Sequence, residues 1–135
     1  MRLLFAGVSL MLPHGWSHIP FVPAPPSGND PVTRIAAASS PIAFGQCNEI
    51  SYRFSPRGVA IVVLEYLRPT PARFAPRPAR FRFPLDNRLE CGLRGGGVQF
   101  VDHRRRFDVF VLVGRRAPAR LKRQALAVLD TLRVR

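Results

Sequence analysis

The sequence predicts a single α+β domain in which a curved antiparallel sheet of about six strands carries a C-terminal amphipathic helix on one face. Three observations predict this fold. Residues 59–67 and 107–113 are rich in β-branched side chains and apolar at nearly every position, which is typical of central strands buried on both faces. Apolar residues recur at three- and four-residue steps over 118–131, as on one face of a helix. A chain of 135 residues is long enough for one hydrophobic core.

Shorter patterns predict the remaining strands. The chain opens with a stretch in which every second residue is apolar, and a weak alanine-rich strand follows later. Residues 98–102 lead across four residues into 107–113, which predicts a β-hairpin. These additional strands are expected at 7–12, 33–39, 79–83 and 98–102.

The segment 79–83 has the clearest alternation in the chain. Phe81 and Phe83 alternate with Arg80 and Arg82. Because successive side chains of a strand point to opposite faces, this pattern predicts a half-buried or edge strand whose phenylalanines face the core.

Three stretches are predicted to connect these elements. Prolines dominate 20–31 and 69–78, so both are expected to be extended loops. Glycines dominate 92–97, which predicts a flexible connection. A phosphate-binding loop is not expected there, because the stretch lacks the Gly-Lys-Ser/Thr ending and does not run from a strand into a helix. No repeat or domain boundary interrupts 1–135.

Positive charge is the outlying feature of the composition. The chain has 21 Lys+Arg against 8 Asp+Glu, which gives a formal net charge of +13, and Lys122 is the only lysine. Such a charge attracts phosphate polymers and anionic membranes at low salt. The near-exclusive use of arginine, beside 14 prolines, fits GC-rich coding equally well. The charge therefore favours an anionic macromolecule as partner without identifying it.

Two basic clusters are the candidate anion or nucleic-acid sites. One occupies the predicted hairpin tip and the other surrounds the predicted start of the helix. A solvated surface is the simpler interpretation of either cluster, and cations at a helix N-terminus also oppose the helix dipole. The clusters are Arg104, Arg105 and Arg106, and Arg115, Arg116, Arg120, Lys122 and Arg123.

Two carboxylates lie within strongly apolar strands. Glu65 falls in 59–67 and Asp108 in 107–113. A carboxylate on a buried face has a raised pKa unless it is paired, and such groups cluster at functional sites. A salt bridge to one of the many arginines, or a solvent-facing position, is the more ordinary interpretation and the one that we favour.

No metal site, cofactor or catalytic set is predicted from the sequence. His14 and His18 have the spacing of two ligands on one helix face, but a proline and a glycine beside them disfavour a helix, and a converging third ligand is missing. Cys47 and Cys91 have no zinc-binding spacing. They are expected to form one disulfide in an oxidising compartment or to remain two buried thiols in a reducing one.

The first residues have two interpretations. Arg2 followed by the apolar run 3–12 resembles the beginning of a signal peptide, but no small-residue cleavage site follows, and we favour an opening strand. The protein is expected to be secreted or at the cell surface if residues 1–12 act as a signal, and cytoplasmic otherwise. No stretch reaches the roughly 18–20 apolar residues of a membrane span, so no transmembrane segment is predicted.

Two stretches resemble the PsbP-like fold, named for an extrinsic protein of photosystem II. A short strand runs into Pro13-x-Gly15-Trp16, and the predicted helix runs into residues 129–134, with the sequence LDTLRV. The middle of the chain is similar to small uncharacterised secreted or surface proteins of GC-rich bacteria. The resemblance implies an αβα sandwich that opens on a Pro-x-Gly-Trp turn and ends with a helix leading to a short strand. It implies no catalytic or metal-binding residue, because a shared fold does not transfer function.

Taken alone, the sequence favours a non-enzymatic binding or accessory domain, because a fold pattern is present without a catalytic set. The runner-up is a protein that binds nucleic acid electrostatically through its arginine clusters. A small-anion or metal-dependent enzyme comes third.

Overall fold

The structure is a computed structural model that describes residues 1–20, 30–40, 55–70, 73–89 and 94–135. These residues contain ten strands, which form two sheets, and one helix. The predicted cysteine pair, Cys47 and Cys91, lies outside the described residues, as does most of the predicted loop over 20–31.

The larger sheet has seven strands and is built around two long central ones. Its strands are β3 (Ser17–His18), β4 (Val32–Ala38), β5 (Val59–Tyr66), β6 (Ala75–Pro76), β7 (Asn87–Arg88), β8 (Arg94–Asp102) and β9 (Arg105–Val113). They follow the order β3-β4-β5-β9-β8-β6, and β7 also pairs with β8. β8 and β9 form the predicted hairpin, and β5 and β9 pair along their length. All these pairs are antiparallel except that of β6 with β8, which is parallel.

The first and last strands form a second, three-stranded sheet. It consists of β1 (Arg2–Phe5), β2 (Val8–Met11) and β10 (Arg133–Val134) in the antiparallel order β1-β2-β10. Ala6 and Gly7 both have positive φ and reverse the chain between β1 and β2. The single opening strand predicted over 7–12 is therefore one arm of a hairpin.

The predicted α+β class is confirmed, but the single curved antiparallel sheet of about six strands is wrong. The strands divide between two sheets, and the larger sheet is mixed because β6 runs parallel to β8. An alternating pattern indicates which side chains are buried but not which strand pairs with which. β2 pairs with β1 because the chain turns back at Ala6 and Gly7. It pairs with β10 because the chain returns to it after the helix.

One face of the larger sheet packs on the helix and on the smaller sheet. The helix α1 spans Ala119–Leu129, within the predicted 118–131. It contacts β5, β9 and β2, so the predicted common interior is confirmed. Trp16 is buried in this core, and its Nε1–H donates to Oε1 of Gln124 at 2.9 Å. The core includes Val8, Leu10, Ile61, Val63, Phe81, Phe100, Phe107, Val109, Ala125, Val128, Leu129 and Leu132.

The other face of the larger sheet carries a second, smaller apolar cluster. Its buried members come from β4, β5, β9 and the residue after β3. Since β5 and β9 bury side chains on both faces, the prediction that they are central strands is confirmed. The cluster comprises Ile19, Ala36, Ala38, Ala60, Val62 and Leu112.

Residues 79–83 are not a strand, which corrects the prediction for this segment. Phe81 is buried and Phe83 packs against the core, while the neighbouring arginines are exposed, so the alternation did indicate the inward side chains. The N–H of Phe81 donates to the carboxylate of Asp130 at 2.7 Å and not to a neighbouring strand. Prolines on both sides of the segment lack the N–H donors that a strand ladder needs.

The described part of the glycine-rich stretch, 94–97, belongs to β8 and is not a flexible connection. Gly95 has a φ of 155°, and a Cβ atom at this position would overlap the carbonyl oxygen of Val111. A Cβ atom on Gly96 would overlap the carbonyl oxygen of Pro84. Glycine is needed here because two backbone segments approach β8 closely, and composition alone does not distinguish this requirement from flexibility.

We expect Leu10→Ala to lower the free energy of unfolding by roughly 2–5 kcal/mol, because Leu10 is fully buried and its truncation leaves a cavity. Leu4→Ala removes the same atoms from the other arm of the hairpin, where the side chain is 56% exposed. It is expected to change the free energy by less than about 0.5 kcal/mol. Urea unfolding followed by circular dichroism measures both values, and equal effects would contradict the placement of β2 in the core.

Candidate nucleic-acid interface

Glu65 lies near the end of β5 and is 4% exposed. Its carboxylate accepts a hydrogen bond from Nε of Arg34 on β4 at 2.8 Å. It also accepts two from Arg105 on β9, from Nε and from Nη2, each at 2.7 Å. Three adjacent strands are therefore joined by one largely buried ion cluster, Arg34–Glu65–Arg105, which we call the Glu65 clamp.

The clamp determines the protonation of Glu65. Burial by itself would raise the pKa of Glu65, but hydrogen bonds from Arg105 and Arg34 outweigh burial and hold the pKa below its ordinary value. A general acid or base that works near neutral pH needs a raised pKa and a free oxygen. The salt-bridge interpretation therefore describes Glu65, and this carboxylate stabilises the fold.

Arg105 also connects the two sheets. Its Nη1 donates to the backbone oxygen of Arg135 at 2.9 Å, and its Nη2 donates to the carbonyl oxygen of Ala6 at 2.8 Å. Its guanidinium carbon lies 5.3 Å from the centre of the Phe107 ring. The clamp therefore joins β4, β5 and β9 to the turn of the β1–β2 hairpin and to the residue after β10.

The arginine cluster predicted at the hairpin tip is not formed. The turn consists of His103 and Arg104, both with positive φ, and β9 begins at Arg105. Because successive strand residues point to opposite faces, Arg105 enters the clamp while Arg106 lies half-buried on the other face. Nε of Arg106 is buried and has no hydrogen-bond partner in the part of the chain that the structure describes. Of the three predicted arginines, Arg104 alone is exposed.

Two further carboxylates are used within the fold. Asp102 accepts a hydrogen bond from Nη1 of Arg77 at 3.0 Å, and its other oxygen lies 2.7 Å from Nδ1 of His103. Burial would raise the pKa of Asp102, but Arg77 and His103 outweigh burial and lower it. Nη2 of Arg77 also donates to the carbonyl oxygen of Leu132 at 2.6 Å. Asp130 accepts the N–H of Phe81, as described above.

Asp108 lies on the face of β9 opposite the clamp, half-buried. Burial raises the pKa of Asp108, and a long hydrogen bond of 3.4 Å from Nε2 of Gln99 opposes this only in part. None of the ion pairs between described residues includes Asp108. The two carboxylates that the sequence singled out therefore lie in opposite electrostatic environments, and the structure does not bring them together.

The arginines at the helix start meet another loop at the end of the larger sheet where β5 begins and β9 ends. Backbone hydrogen bonds of 2.8 and 2.6 Å join 114–116 to 56–58. Arg57 therefore lies on the loop adjoining Arg115 and Arg116, and all three are exposed.

Strand pairing brings two more arginines to the same end. Arg94, the first residue of β8, pairs with Val113, the last residue of β9, and Arg88 of β7 pairs with Arg94. Both arginines are exposed. Neither these two arginines nor Arg57 were predicted as site residues, because they are far from the helix start in the chain and no local pattern marks them. Only the strand register places Arg88 and Arg94 at this end, and the sequence pattern does not predict the register.

We call this surface the basic end. It comprises exposed arginines on two loops, on the β7–β8 pair and in the first turn of α1. The predicted Lys122 and Arg123 lie slightly further along the helix. Among the described residues, none of the arginines of the basic end forms an ion pair, and no acidic residue lies in the first turn of α1. The basic end is formed by Arg57, Arg88, Arg94, Arg115, Arg116 and Arg120.

Exposed acidic side chains are scarce in the described part of the chain. They are Asp30 and Asp86, and every other described acidic residue is buried or half-buried. Asp86 is near the basic end, where its backbone oxygen lies 3.4 Å from Nη1 of Arg94. Four of the six described carboxylates are buried or half-buried, so few negative charges lie among the exposed arginines of the described residues.

β9 separates the basic end from the hairpin turn that carries Arg104. Nine residues at about 3.3 Å each place the two ends of this strand roughly 27–30 Å apart. The two basic clusters predicted from the sequence therefore do not form one surface.

No group of three or more His, Cys, Asp and Glu side chains that could hold a metal ion is found among the described residues. His14 lies in a turn and His18 in β3, so neither has the helical setting that gives their spacing meaning. No helix in the described ranges has the length and apolar character needed to cross a membrane.

Comparisons of the chain with family models, with curated proteins and with solved structures give no match. The PsbP-like resemblance therefore stays a prediction.

Glu65→Gln is expected to lower the free energy of unfolding at neutral pH by roughly 3 kcal/mol, because two partly buried guanidinium groups lose their counter-charge. The folded pKa of Glu65 lies below its ordinary value of 4.5, so the wild type has this stabilisation above that pH and loses it as the pH falls through the folded pKa. Urea unfolding over a pH series should show the wild type and the variant converging in acid. The matched control is Asp86→Asn, at an exposed carboxylate. A difference between Glu65→Gln and the wild type that does not change with pH would contradict the ionic role.

Asp108→Asn is expected to have the opposite effect and to raise the free energy of unfolding at neutral pH. Its folded pKa lies above its ordinary value of 3.8, so ionisation of Asp108 destabilises the fold, and the advantage of the amide should disappear below that pH. The same unfolding series measures this change. A destabilised Asp108→Asn variant at neutral pH would show that the carboxylate makes a favourable interaction.

Proposed function

We propose that the chain is a non-enzymatic nucleic-acid-binding domain that holds the phosphate backbone at the basic end. The observation that carries this proposal is the convergence of six exposed arginines from separate parts of the chain, none with a carboxylate partner among the described residues. Arginine presents a planar fork of donors that matches phosphate oxygens, so such a surface suits a phosphate polymer.

The composition of the basic end favours a phosphate polymer over a lipid surface at this location. The large apolar side chains that are exposed in the described residues lie elsewhere, at positions 1, 4, 5, 11 and 67. Binding to a bilayer draws on apolar side chains in addition to charge, whereas binding to a nucleic-acid backbone requires only cations at suitable spacing. The first turn of α1 adds the positive end of the helix dipole.

The coarser part of the proposal is that the domain binds or assists a partner without catalysing a reaction. It is supported by the use of Glu65 and Asp102 in ion pairs that join elements of the fold. A PsbP-like arrangement belongs to the same proposal. It is supported by the turn at Pro13–Trp16 after β2 and by the short strand β10 after α1.

Neutralising four arginines of the basic end, in the variant Arg57→Ala/Arg94→Ala/Arg115→Ala/Arg116→Ala, is expected to weaken binding to DNA and RNA of any sequence. On duplex DNA, log K falls with log salt at about 0.9 per phosphate neutralised, so losing four contacts should make this slope roughly three to four units shallower. Fluorescence anisotropy with labelled duplex and single-stranded oligonucleotides over a salt series measures the slope.

The matched control removes the same charge from exposed residues outside the basic end. Arg68, Arg73, Arg80 and Arg104 are all exposed, and changing them to alanine should leave the slope close to that of the wild type. Equal slopes for the two quadruple variants would show that net charge and not the basic end binds the nucleic acid. Absence of wild-type binding at low salt would overturn the proposal.

A further inference from the structure

Exposed apolar side chains are concentrated on one hairpin. Five large apolar residues are exposed in the described part of the chain, and four of them, Met1, Leu4, Phe5 and Met11, lie on or beside β1 and β2. Their exposed fractions are 65%, 56%, 40% and 47%. Single exposed apolar residues are ordinary, but a contiguous group marks an interaction surface.

Strand register places two of these residues on the outer face of the smaller sheet. Arg2 pairs with Met11, and Leu4 pairs with Ser9, so these four residues lie on one face of the smaller sheet. Val8 and Leu10 lie on the other face, which packs in the core. β1 is also an edge strand of this sheet. The outer face therefore exposes Leu4 and Met11, and Met1 and Phe5 are exposed at the two ends of β1. We call these four residues the hairpin patch.

Hydrogen bonds from the rest of the fold hold the hairpin in place. Nη2 of Arg105 donates to the carbonyl oxygen of Ala6 at 2.8 Å in the turn. The N–H of Met11 donates to Oγ1 of Thr131 at 2.9 Å. The inner side chains of β2 are fully buried in the core. The patch is therefore displayed on a rigid base and is not a strand that has failed to pack.

Three arginines lie on or next to the smaller sheet. Arg2 lies within the outer face, and Arg133 of β10 pairs with Ser9 in the middle of the same sheet. Arg135 follows β10, and all three arginines are exposed. Among the described residues, none of them forms an ion pair with a carboxylate. The surface therefore combines apolar side chains with unpaired positive charge.

We propose that the hairpin patch docks on an anionic lipid surface, with Leu4 and Met11 entering the interface and the arginines on or next to the smaller sheet binding lipid phosphates. This combination of apolar and basic side chains is the one that peripheral membrane binding uses. Charge complementarity favours this occupant over a second copy of the chain. Each copy has a net charge of +13, and pairing two patches would bring Arg2 and Arg133 of one copy close to those of the other. The patch shares no residue with the basic end, so this inference stands apart from nucleic-acid binding.

The test compares binding to vesicles of phosphatidylcholine alone and of phosphatidylcholine mixed with phosphatidylserine. The full chain should co-sediment with the mixed vesicles and not with the neutral ones. The variant Leu4→Ser/Met11→Ser should reduce the partition coefficient on mixed vesicles roughly tenfold, because each apolar side chain that enters the interface contributes through its buried area. Both residues are exposed, and thermal unfolding checks that the variant remains folded.

Two controls separate insertion from general attraction of a basic protein. Leu67→Ser changes the exposed apolar residue that lies outside the patch and should leave partitioning unchanged. The quadruple variant of the basic end removes charge far from the patch. Adding Leu4→Ser/Met11→Ser to this variant should still reduce the partition coefficient. If the double variant partitions like the wild type, charge alone explains binding and the proposal is wrong. It is also wrong if the wild type does not bind the mixed vesicles, or if sedimentation equilibrium shows a dimer that the double variant abolishes.

Discussion

The Glu65 clamp joins three strands of the larger sheet to the β1–β2 turn of the smaller one. A single carboxylate on central strand β5 binds arginines from both neighbouring strands, and Arg105 extends the contact to the β1–β2 turn and to Arg135. Parts of the chain that are about a hundred residues apart in sequence therefore meet at one ion cluster. Breaking a buried ion pair from one side leaves an uncompensated charge, so the cluster stabilises the arrangement only while it is complete. It lies on the face of the sheet that also holds the main core.

The outside of the molecule is basic because cations far outnumber carboxylates and few of the described carboxylates are exposed. Ion pairs and hydrogen bonds inside the fold take up Glu65, Asp102 and Asp130, while most arginines remain outside. The exposed arginines lie in two different surroundings. At one end of the larger sheet, arginines lie together without large exposed apolar side chains, which suits a phosphate polymer. On and next to the smaller sheet, arginines accompany exposed apolar residues, which suits a lipid surface.

Sequence patterns predicted the elements whose burial is periodic. β5, β9 and α1 were placed correctly because apolar residues at nearly every position, or at steps of three and four, follow directly from burial on two faces or on one stripe. The same reasoning identified Phe81 and Phe83 as inward-facing but assigned a strand to an extended segment that is bonded to Asp130. It also took the glycines of β8 for a loop, because the close approach of Val111 and Pro84 depends on chain segments that no local window contains.

Composition and short periodic patterns were enough to predict the α+β class, the central strands, the hairpin between β8 and β9, the terminal helix and the excess of positive charge. The location of that charge follows from the fold. Strand register joined Arg88 and Arg94 to the helix-start arginines, and the pleat turned Arg105 inward while leaving Arg104 outside. These outcomes depend on contacts between residues distant in the chain, and the electrostatic role of an arginine is determined by which carboxylate, if any, the fold brings within reach.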